Sequence, residues 1–273
     1  MGGKTRSALA YWHLLSLDAP TVATLWTWFI ARANHIHLSD SSLVAMAAAV
    51  WMLYVADRLL DVQRSEESQL EERHYFHQRH RRDFLIGTAV ASVILAIVLP
   101  QIPTDAIRLY LILGGLVFGY FVVIHATQSA HRLPKEIAVG VCFAAAVFIP
   151  TVARNPGLRI PLLAPALLFA ALCSLNCLFI YAWEHPETWQ DTAHPLTVAA
   201  LRHLDLLCTI LAIASTLIAL IDHRAPWPIG TAISISSAGL LILHQRRSHH
   251  HALTLRAAAD LVLLTPALLA TRL

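Results

Sequence analysis

Two aspartates at the end of an apolar stretch are the first residues whose types and spacing could support chemistry. Asp57 and Asp61 stand four residues apart in the run YVADRLLDVQR, so a helix would place both carboxylates on one face. Carboxylates at the end of a membrane helix are costly unless they pair, contact water or bind a cation. Neutralisation by Arg58 and Arg64 at the membrane surface would explain them as well as cation binding does, so both interpretations stay open.

A second polar helix end follows in the run NCLFIYAWEHPETWQD. Asn176 and Glu184 are eight residues apart and share a helical face, and Asp191 lies in the loop beyond them. Taken alone, Glu184 could simply extend to water. However, each of the two acidic ends leads into a long loop, and carboxylates on facing helices suit Mg²⁺, which keeps several waters and contacts phosphate oxygens. Together the two ends predict a magnesium site.

Basic residues on the same predicted side of the membrane could contact the phosphates. They are Arg73, Arg81 and Arg82 in the first long loop, and Arg132 and Lys135 in a later loop. Arginine suits bidentate phosphate contacts, whereas lysine acts as a point charge. For any single one of them, the usual excess of basic residues in cytoplasmic loops is the simpler explanation.

The composition determines which elements position these residues. Hydrophobic residues make up 57% of the 273 residues, charged residues 14%, and the mean hydropathy is +0.59. Soluble domains carry about 25% charged residues, so a water-soluble fold is excluded, and the apolar content excludes disorder. The net charge is only +3, and the basic residues do not form a continuous stripe of the kind that binds nucleic acid. The composition predicts a polytopic membrane protein built from α-helices.

Nine apolar blocks are long enough to cross a membrane, which takes about 20 residues. The blocks are roughly 9–33, 42–62, 83–101, 106–125, 136–153, 161–183, 203–221, 226–243 and 252–271. With a cytoplasmic N-terminus, fourteen basic residues lie on the cytoplasmic side and six on the other. This asymmetry and the odd helix count predict a protein of the cytoplasmic (inner) membrane with its C-terminus outside. Both long loops then face the cytoplasm.

Histidines and aromatic residues have simpler explanations than a metal site or a cofactor. His74, His77 and His80 recur every three residues, and this spacing drifts around a helix so that three rings do not converge on one ion. We therefore expect a solvated basic cap and no zinc or iron. Aromatic side chains such as Tyr54 and Tyr181 could line an apolar channel, although core packing explains most of the aromatics.

Four segments resemble the UbiA superfamily of intramembrane prenyltransferases. YVADRLLD is similar to its first aspartate motif, whose last two aspartates match Asp57 and Asp61. LLSLDAPTVATLW (residues 14–26) resembles the first-helix segment with its proline, and Lys135 resembles a lysine that opens a later helix. WEHPETWQDTAHPLTV resembles the second motif, with Glu184 in place of its first aspartate. The resemblance extends over nearly the whole chain, and the nine-helix count agrees with it.

The chain departs from the family pattern in both motifs. Leu53 and Tyr54 stand where the family has Asn and Asp, and Thr188 stands where the second motif has another aspartate. Fewer carboxylates would bind Mg²⁺ more weakly, or bind one ion instead of two. These departures suggest either a divergent enzyme or a chain that keeps the fold without the activity.

The resemblance implies a single integral-membrane domain over residues 1–273 with the UbiA-type helical bundle. Its implied function is Mg²⁺-dependent transfer of a prenyl group from an isoprenyl diphosphate to a lipophilic or aromatic acceptor within the membrane. Membrane lipids are the other expected partners, and no obligate protein partner is expected. A membrane terpene cyclase and a non-catalytic lipid-binding or lipid-transporting protein remain alternatives. The expected roles are metal binding for Asp57, Asp61, Glu184 and Asp191, catalysis for the first three of these, diphosphate binding for Arg58, Arg73, Arg81, Arg132 and Lys135, and cavity lining for Tyr54, Asn176 and Tyr181.

Overall fold

The computed structural model describes residues 8–64, 72–126, 134–185, 194–249 and 252–272, and within these ranges the chain forms helices and no strand. The all-α prediction is therefore confirmed for this part of the chain. The helices, in chain order, are α1 (Ala8–Leu14), α2 (Asp18–Ala33), α3 (Asp40–Arg64), α4 (Glu72–Arg79), α5 (Arg81–Val98), α6 (Thr104–Ala126), α7 (Lys135–Arg154), α8 (Leu163–Glu184), α9 (Pro195–Arg202), α10 (Leu204–Ile221), α11 (Trp227–Gln245), α12 (Ala252–Val262) and α13 (Pro266–Leu269).

The helices group into two compact units. The first unit comprises Met1–Thr24 and Ser39–Ile102, and the second comprises Leu25–Leu38 and Pro103–Leu273. The first unit thus contains α1, the first turns of α2, and α3 to α5. The second contains the rest of α2 and α6 to α13. A single domain over the whole chain remains a prediction.

Within the described ranges, six helices are long and apolar enough to cross a membrane: Asp40–Leu60, Arg81–Gln101, Lys135–Arg154, Leu163–Glu184, Leu204–Ile221 and Trp227–Gln245. The bent pair α1 and α2 would make a seventh span. Large apolar side chains stand exposed on these helices, for example Ile86 on α5 and Leu220 on α10, at 64% and 69%. Exposed apolar surface of this extent is typical of contact with lipid. The predicted count of nine spans is not confirmed.

The first predicted span is bent by 89° between α1 and α2. Ser16 has a positive φ of 57°, and the N–H groups of Ser16 and Leu17 donate to the carbonyls of His13 and Trp12. This pattern ends a helix with one residue in the left-handed conformation. Asp18 then begins α2, and its carboxylate accepts the N–H of Ala19 at 2.9 Å. The bend therefore joins a helix end directly to a new helix start.

Trp51 of α3 links three helices of the first unit. Its indole N–H donates to the Leu15 carbonyl at 3.0 Å, which lies in the bend. Its ring stacks on Phe84 of α5 with centroids 6.4 Å apart. Gly87 lets α5 approach this ring, because an added Cβ there would lie 2.7 Å from Cη2 of Trp51. The bend, α3 and α5 are therefore packed around one side chain.

In the second unit, α7 and α8 pack closely at Gly140, where an added Cβ would lie 2.4 Å from the backbone N of Ser174. Farther along α7, Pro150 lacks an N–H and leaves the Ala146 carbonyl without its usual helical donor. The Tyr110 hydroxyl of α6 donates to that carbonyl at 3.1 Å. A side chain from the neighbouring helix thus satisfies the carbonyl that the proline exposes.

The ninth apolar block does not form one straight helix. It divides into α12 and the four-residue α13, with residues 263–265 as a turn before Pro266. The indole N–H of Trp26 donates to the Leu263 carbonyl at 2.8 Å, and Ser236 Oγ donates to the Val262 carbonyl at 3.2 Å. Side chains of α2 and α11 therefore satisfy the carbonyls of the turn, and Trp26 is fully buried beside Phe169.

Candidate functional site

The predicted aspartates lie at the end of α3. This helix contains no Gly or Pro and runs without interruption for 25 residues, while its apolar span ends at Leu60. Asp57 and Asp61 therefore occupy successive turns on either side of the span boundary. Asp57 is exposed and Tyr54, one turn earlier, is half-buried. The side chain of Asp61 lies outside the described residues, although its backbone belongs to α3.

Arg58 has a different environment from its neighbour Asp57. It is 5% exposed, and its NH1 donates to the His13 carbonyl at 2.9 Å and to Ser16 Oγ at 2.8 Å. Its NH2 lies 3.6 Å from Oδ2 of Asp18. The guanidinium is therefore bound inside the first unit at the bend, whereas the sequence predicted it to contact a diphosphate.

Four other residues complete this buried polar cluster around the bend: His13, Ser16, Asp18 and His77. All four are no more than 1% exposed. His13 Nδ1 lies 2.5 Å from Asp18 Oδ2, and Ser16 Oγ lies 3.1 Å from Nε2 of His77. Together with Arg58 they form what we call the bend cluster, in which the guanidinium faces the Asp18 carboxylate.

The prediction of a solvated basic cap is wrong for His77. Its side chain is 0% exposed, and its ring stacks on Phe84 with centroids 4.1 Å apart and planes 16° apart. His80, three residues later, is half-buried and contacts the Phe76 carbonyl through Nδ1 at 2.9 Å. The side chain of His74 lies outside the described residues. His77 therefore anchors α4 to the bend.

Glu184 at the end of α8 is bound by an arginine. Arg256 of α12 donates to its carboxylate, and the two side chains are 21% and 16% exposed. Beside this ion pair, the indole N–H of Trp183 donates to Nδ1 of His244 on α11 at 3.0 Å. The end of α8 is therefore tied to two other helices, and the carboxylate that was predicted to bind Mg²⁺ already contacts a positive charge.

Asn176 lies two turns before Glu184 on α8. Both side chains face α12, in agreement with the shared helical face that their spacing predicts. It is 7% exposed, and its Nδ2 donates to Oδ1 of Asp260 on α12 at 2.9 Å. Its own Oδ1 is buried and receives no hydrogen bond from the described part of the chain. Tyr181 is half-buried and stacks on His185 with centroids 4.5 Å apart. Asp191 lies outside the described residues.

The structure describes the side chains of only some of the predicted phosphate-binding residues. Arg81 is exposed at the first residue of α5, and Lys135 is exposed at the first residue of α7. Arg73 belongs to α4, but its side chain lies outside the described residues, as does the whole of Arg132. Asp57, Asp61 and Arg81 belong to the first unit, and Glu184 and Lys135 to the second. A cation shared between the two units therefore remains a prediction.

Sequence reasoning missed most of the bend cluster. His13 and Ser16 carry no motif of their own, and His77 lies 61 residues from Ser16, so no local pattern connects them. One signal was present, since the run SLDAP places an Asp and a Pro where a helix commonly begins. That signal predicts a new helix near Asp18, and the bend follows from it.

No family model matches the chain, and neither the curated proteins nor the solved structures include a significant match.

Proposed function

We propose that this chain transfers a prenyl group from an isoprenyl diphosphate to a lipophilic or aromatic acceptor within the membrane. The end of α3 carries the proposal. There, Asp57 and Asp61 lie on either side of a span boundary on one continuous helix, and Asp57 is exposed. Carboxylates at this depth can reach both a polar diphosphate and a prenyl chain in the apolar region. The resemblance of YVADRLLD to the first UbiA aspartate motif supports the same function.

The residues at the end of α3 fit Mg²⁺, whereas Glu184 does not. An exposed carboxylate such as Asp57 offers hard oxygen ligands and leaves room for the several waters that Mg²⁺ keeps. The Glu184 carboxylate is bound by Arg256, so a metal ion would have to displace a guanidinium. We therefore assign Mg²⁺ to Asp57 and Asp61 and leave Glu184 out. Mg²⁺ would offset the negative charge that develops on the departing diphosphate.

In the proposed reaction, the allylic carbon–oxygen bond breaks and its electron pair leaves with the diphosphate. The same carbon then bonds to the acceptor, which loses a proton. Arg81, an exposed basic residue of the same unit as Asp57 and Asp61, would contact the diphosphate oxygens. Arg58 is left out of this group, because its guanidinium is bound within the bend cluster. Half-buried aromatic rings such as Tyr54 can stabilise a carbocation through their π faces.

A second candidate is a non-catalytic membrane protein that binds or moves a lipid. The ion pair of Glu184 with Arg256 and the burial of Arg58 favour it, because both remove predicted site residues from a substrate. Leu53, which replaces an asparagine of the family motif, is 68% exposed and offers no metal ligand. This candidate predicts binding of a prenyl lipid without release of diphosphate.

The test is diphosphate release from an isoprenyl diphosphate by the purified protein, measured against Mg²⁺ concentration with and without an aromatic acceptor. We expect Asp57→Asn and Asp61→Asn each to lower turnover about a hundredfold, or about 3 kcal/mol of transition-state stabilisation. Asp40→Asn is the matched control, because Asp40 is an exposed carboxylate at the opposite end of the same helix. It should leave turnover unchanged.

Each outcome assigns a function. Release that requires the acceptor supports the transferase, and release without acceptor together with hydrocarbon formation identifies a cyclase. No release at any Mg²⁺ concentration supports the non-catalytic candidate, and turnover that appears only after Leu53→Asn with Tyr54→Asp shows a chain that has lost the activity. If the parent turns over and both Asp→Asn variants match it, the role given to α3 is wrong.

A further inference from the structure

Three exposed arginines lie at one end of the hairpin that α10 and α11 form. Arg202 precedes the membrane span of α10, and Arg246 and Arg247 follow the span of α11. The two helix ends lie together, because Oδ1 of Asp205 in the first turn of α10 is 4.0 Å from Nε2 of His244 in the last turn of α11. The three arginines therefore share one end of the hairpin, where its apolar spans stop.

Arg202 and Arg246 can offer their guanidinium groups to a ligand. Both side chains are exposed, and within the described part of the chain neither guanidinium has a hydrogen-bond or ion-pair partner. Arg247, by contrast, donates to the His244 carbonyl at 2.8 Å and caps the end of α11. Two such guanidinium groups suit an anion with several oxygens, because each planar group can make two parallel hydrogen bonds to it.

Positive charge exceeds negative charge among the described groups at this end of the second unit. The positive groups are Lys135, Arg202, Arg246, Arg247 and Arg256, and the negative groups are Glu136, Asp205 and Glu184. Glu184 is bound by Arg256, and Glu136 accepts a hydrogen bond from Thr197 of α9 at 3.1 Å. Asp260 lies about two helical turns farther into the span, beside Asn176. Asp205 is therefore the only described carboxylate at the ends of α10 and α11, and alone it does not balance three arginines.

Exposed apolar side chains continue from these arginines along both spans. The stripe on α10 comprises Leu206, Ile210, Ile213 and Leu217, and the stripe on α11 comprises Ile235, Ala238 and Ile242. Arg246 continues the stripe of α11, because its N–H donates to the Ile242 carbonyl at 3.1 Å as in a helical turn. Thr216 and Ser234 bond each other at 2.8 Å at the exposed edge of the contact between the helices, so the two stripes lie on the same side of the hairpin. This surface pairs a lipid-facing apolar face with a cationic end.

We propose that Arg202 and Arg246 bind the phosphate of one anionic phospholipid, whose acyl chains lie along the exposed stripes of α10 and α11. The phosphate oxygens accept paired hydrogen bonds from the two guanidinium groups. The excess positive charge favours a headgroup with a net negative charge over a zwitterionic one. The lipid site is a separate feature of the second unit and does not depend on the proposed transferase activity.

The experiment counts the lipids bound to the full-length protein in neutral detergent by native mass spectrometry. The protein is titrated with phosphatidylglycerol or with phosphatidylcholine of the same acyl chains. We expect one phosphatidylglycerol to bind about tenfold or more tightly than phosphatidylcholine, and inorganic phosphate at the same concentration not to displace it. Equal affinities for the two lipids would overturn the proposal. Displacement by phosphate would also overturn it, because the site would then bind a simple anion instead of a lipid.

Two double variants test the role of the guanidinium groups. Arg202→Gln with Arg246→Gln removes both groups and should bind phosphatidylglycerol no more tightly than phosphatidylcholine. Arg202→Lys with Arg246→Lys keeps both charges but loses the planar geometry, so we expect its affinity for phosphatidylglycerol to fall about threefold or more. If the lysine variant matches the parent, a general attraction between basic residues and anionic lipid explains the binding, and the proposal is wrong.

The matched control is Arg108→Gln with Arg224→Gln. This variant also removes two exposed arginines, so its change in net charge equals that of the glutamine variant above. Arg224 lies at the opposite end of the α10–α11 hairpin, and Arg108 lies 3.6 Å from Asp105 on α6. The control should keep the preference for phosphatidylglycerol. All four arginines are exposed, so each variant should unfold at the same denaturing-detergent fraction as the parent. A control that loses the preference as fully as Arg202→Gln with Arg246→Gln would contradict a site at these two residues.

Discussion

In each unit, one apolar stretch does not form a single continuous helix. Different types of side chain bind the polar groups at the two interruptions. At residues 15–17 of the first unit, Arg58 and His77 bond Ser16 Oγ, and the indole of Trp51 donates to the Leu15 carbonyl. At residues 263–265 of the second unit, the partners are Trp26, Ser236 and other neutral groups. A guanidinium binds several groups at once, whereas a neutral donor satisfies one carbonyl.

This difference predicts how each interruption responds to mutation. Removing a buried charge leaves an opposite charge and several acceptors unpaired, which is costly. Removing a neutral donor leaves one carbonyl unpaired, which costs less. Replacing Arg58 alone should therefore strongly lower the stability of the protein through the first interruption. At the second interruption, replacing any one neutral donor should lower stability by a smaller amount.

The largest effect is expected for Arg58→Met. The change leaves the His13 carbonyl and Ser16 Oγ without their donor and leaves Asp18 without the guanidinium, so we expect a loss of about 3–5 kcal/mol in the free energy of unfolding. The measurement is an unfolding titration from mild detergent into a denaturing one. Arg108→Met is the matched control, because Arg108 is 73% exposed, and it should change stability by less than about 0.5 kcal/mol. Equal losses in the two variants would remove the distinction between the interruptions.

An intermediate effect is expected for Trp26→Phe in the second unit. An aromatic ring remains, but the Leu263 carbonyl loses its donor and part of a fully buried side chain is removed. The free energy of unfolding should therefore fall by about 2 kcal/mol. Trp227→Phe provides the comparison, since Trp227 is 52% exposed and its change should be nearly neutral. A loss as large as that of Arg58→Met would show that neutral donors hold a turn as firmly as a buried charge does.

The smallest effect is expected for Ser236→Ala, which removes the donor to the Val262 carbonyl. We expect a loss of about 1 kcal/mol, the usual net value of one hydrogen bond. A double-mutant cycle with Pro266→Ala tests the cause, because alanine restores the backbone N–H that this carbonyl lacks. In the Pro266→Ala background, the cost of Ser236→Ala should shrink; an unchanged cost would mean that the serine acts only through packing.

Most of the helices follow from composition, because a long apolar run has few alternatives to a helix in a membrane. The predicted blocks 83–101 and 161–183 agree closely with Arg81–Gln101 and Leu163–Glu184. The bend after α1 was not predicted, because hydropathy over residues 9–33 does not change where Ser16 adopts a positive φ. The same limit applies to the turn before Pro266, which hydropathy alone does not detect.

The candidate site shows the same division between local and long-range information. The shared face of Asn176 and Glu184 follows from helical spacing, and both side chains contact α12. The partners themselves could not be predicted, because Arg256 lies 72 residues from Glu184 and His77 lies 61 residues from Ser16. Burial of a charged or polar side chain depends on such distant partners. For this reason Arg58 was expected to bind a diphosphate and His77 to lie in solvent.

The bond from the Tyr110 hydroxyl to the Ala146 carbonyl constrains the order in which this sequence can change. A proline at position 150 leaves that carbonyl unpaired, so the proline is tolerated best in a chain that already carries a donor at position 110. The less costly order therefore gains the tyrosine before the proline and loses the proline before the tyrosine. Descendants of this chain should show a phenylalanine at position 110 only where position 150 has regained a backbone N–H.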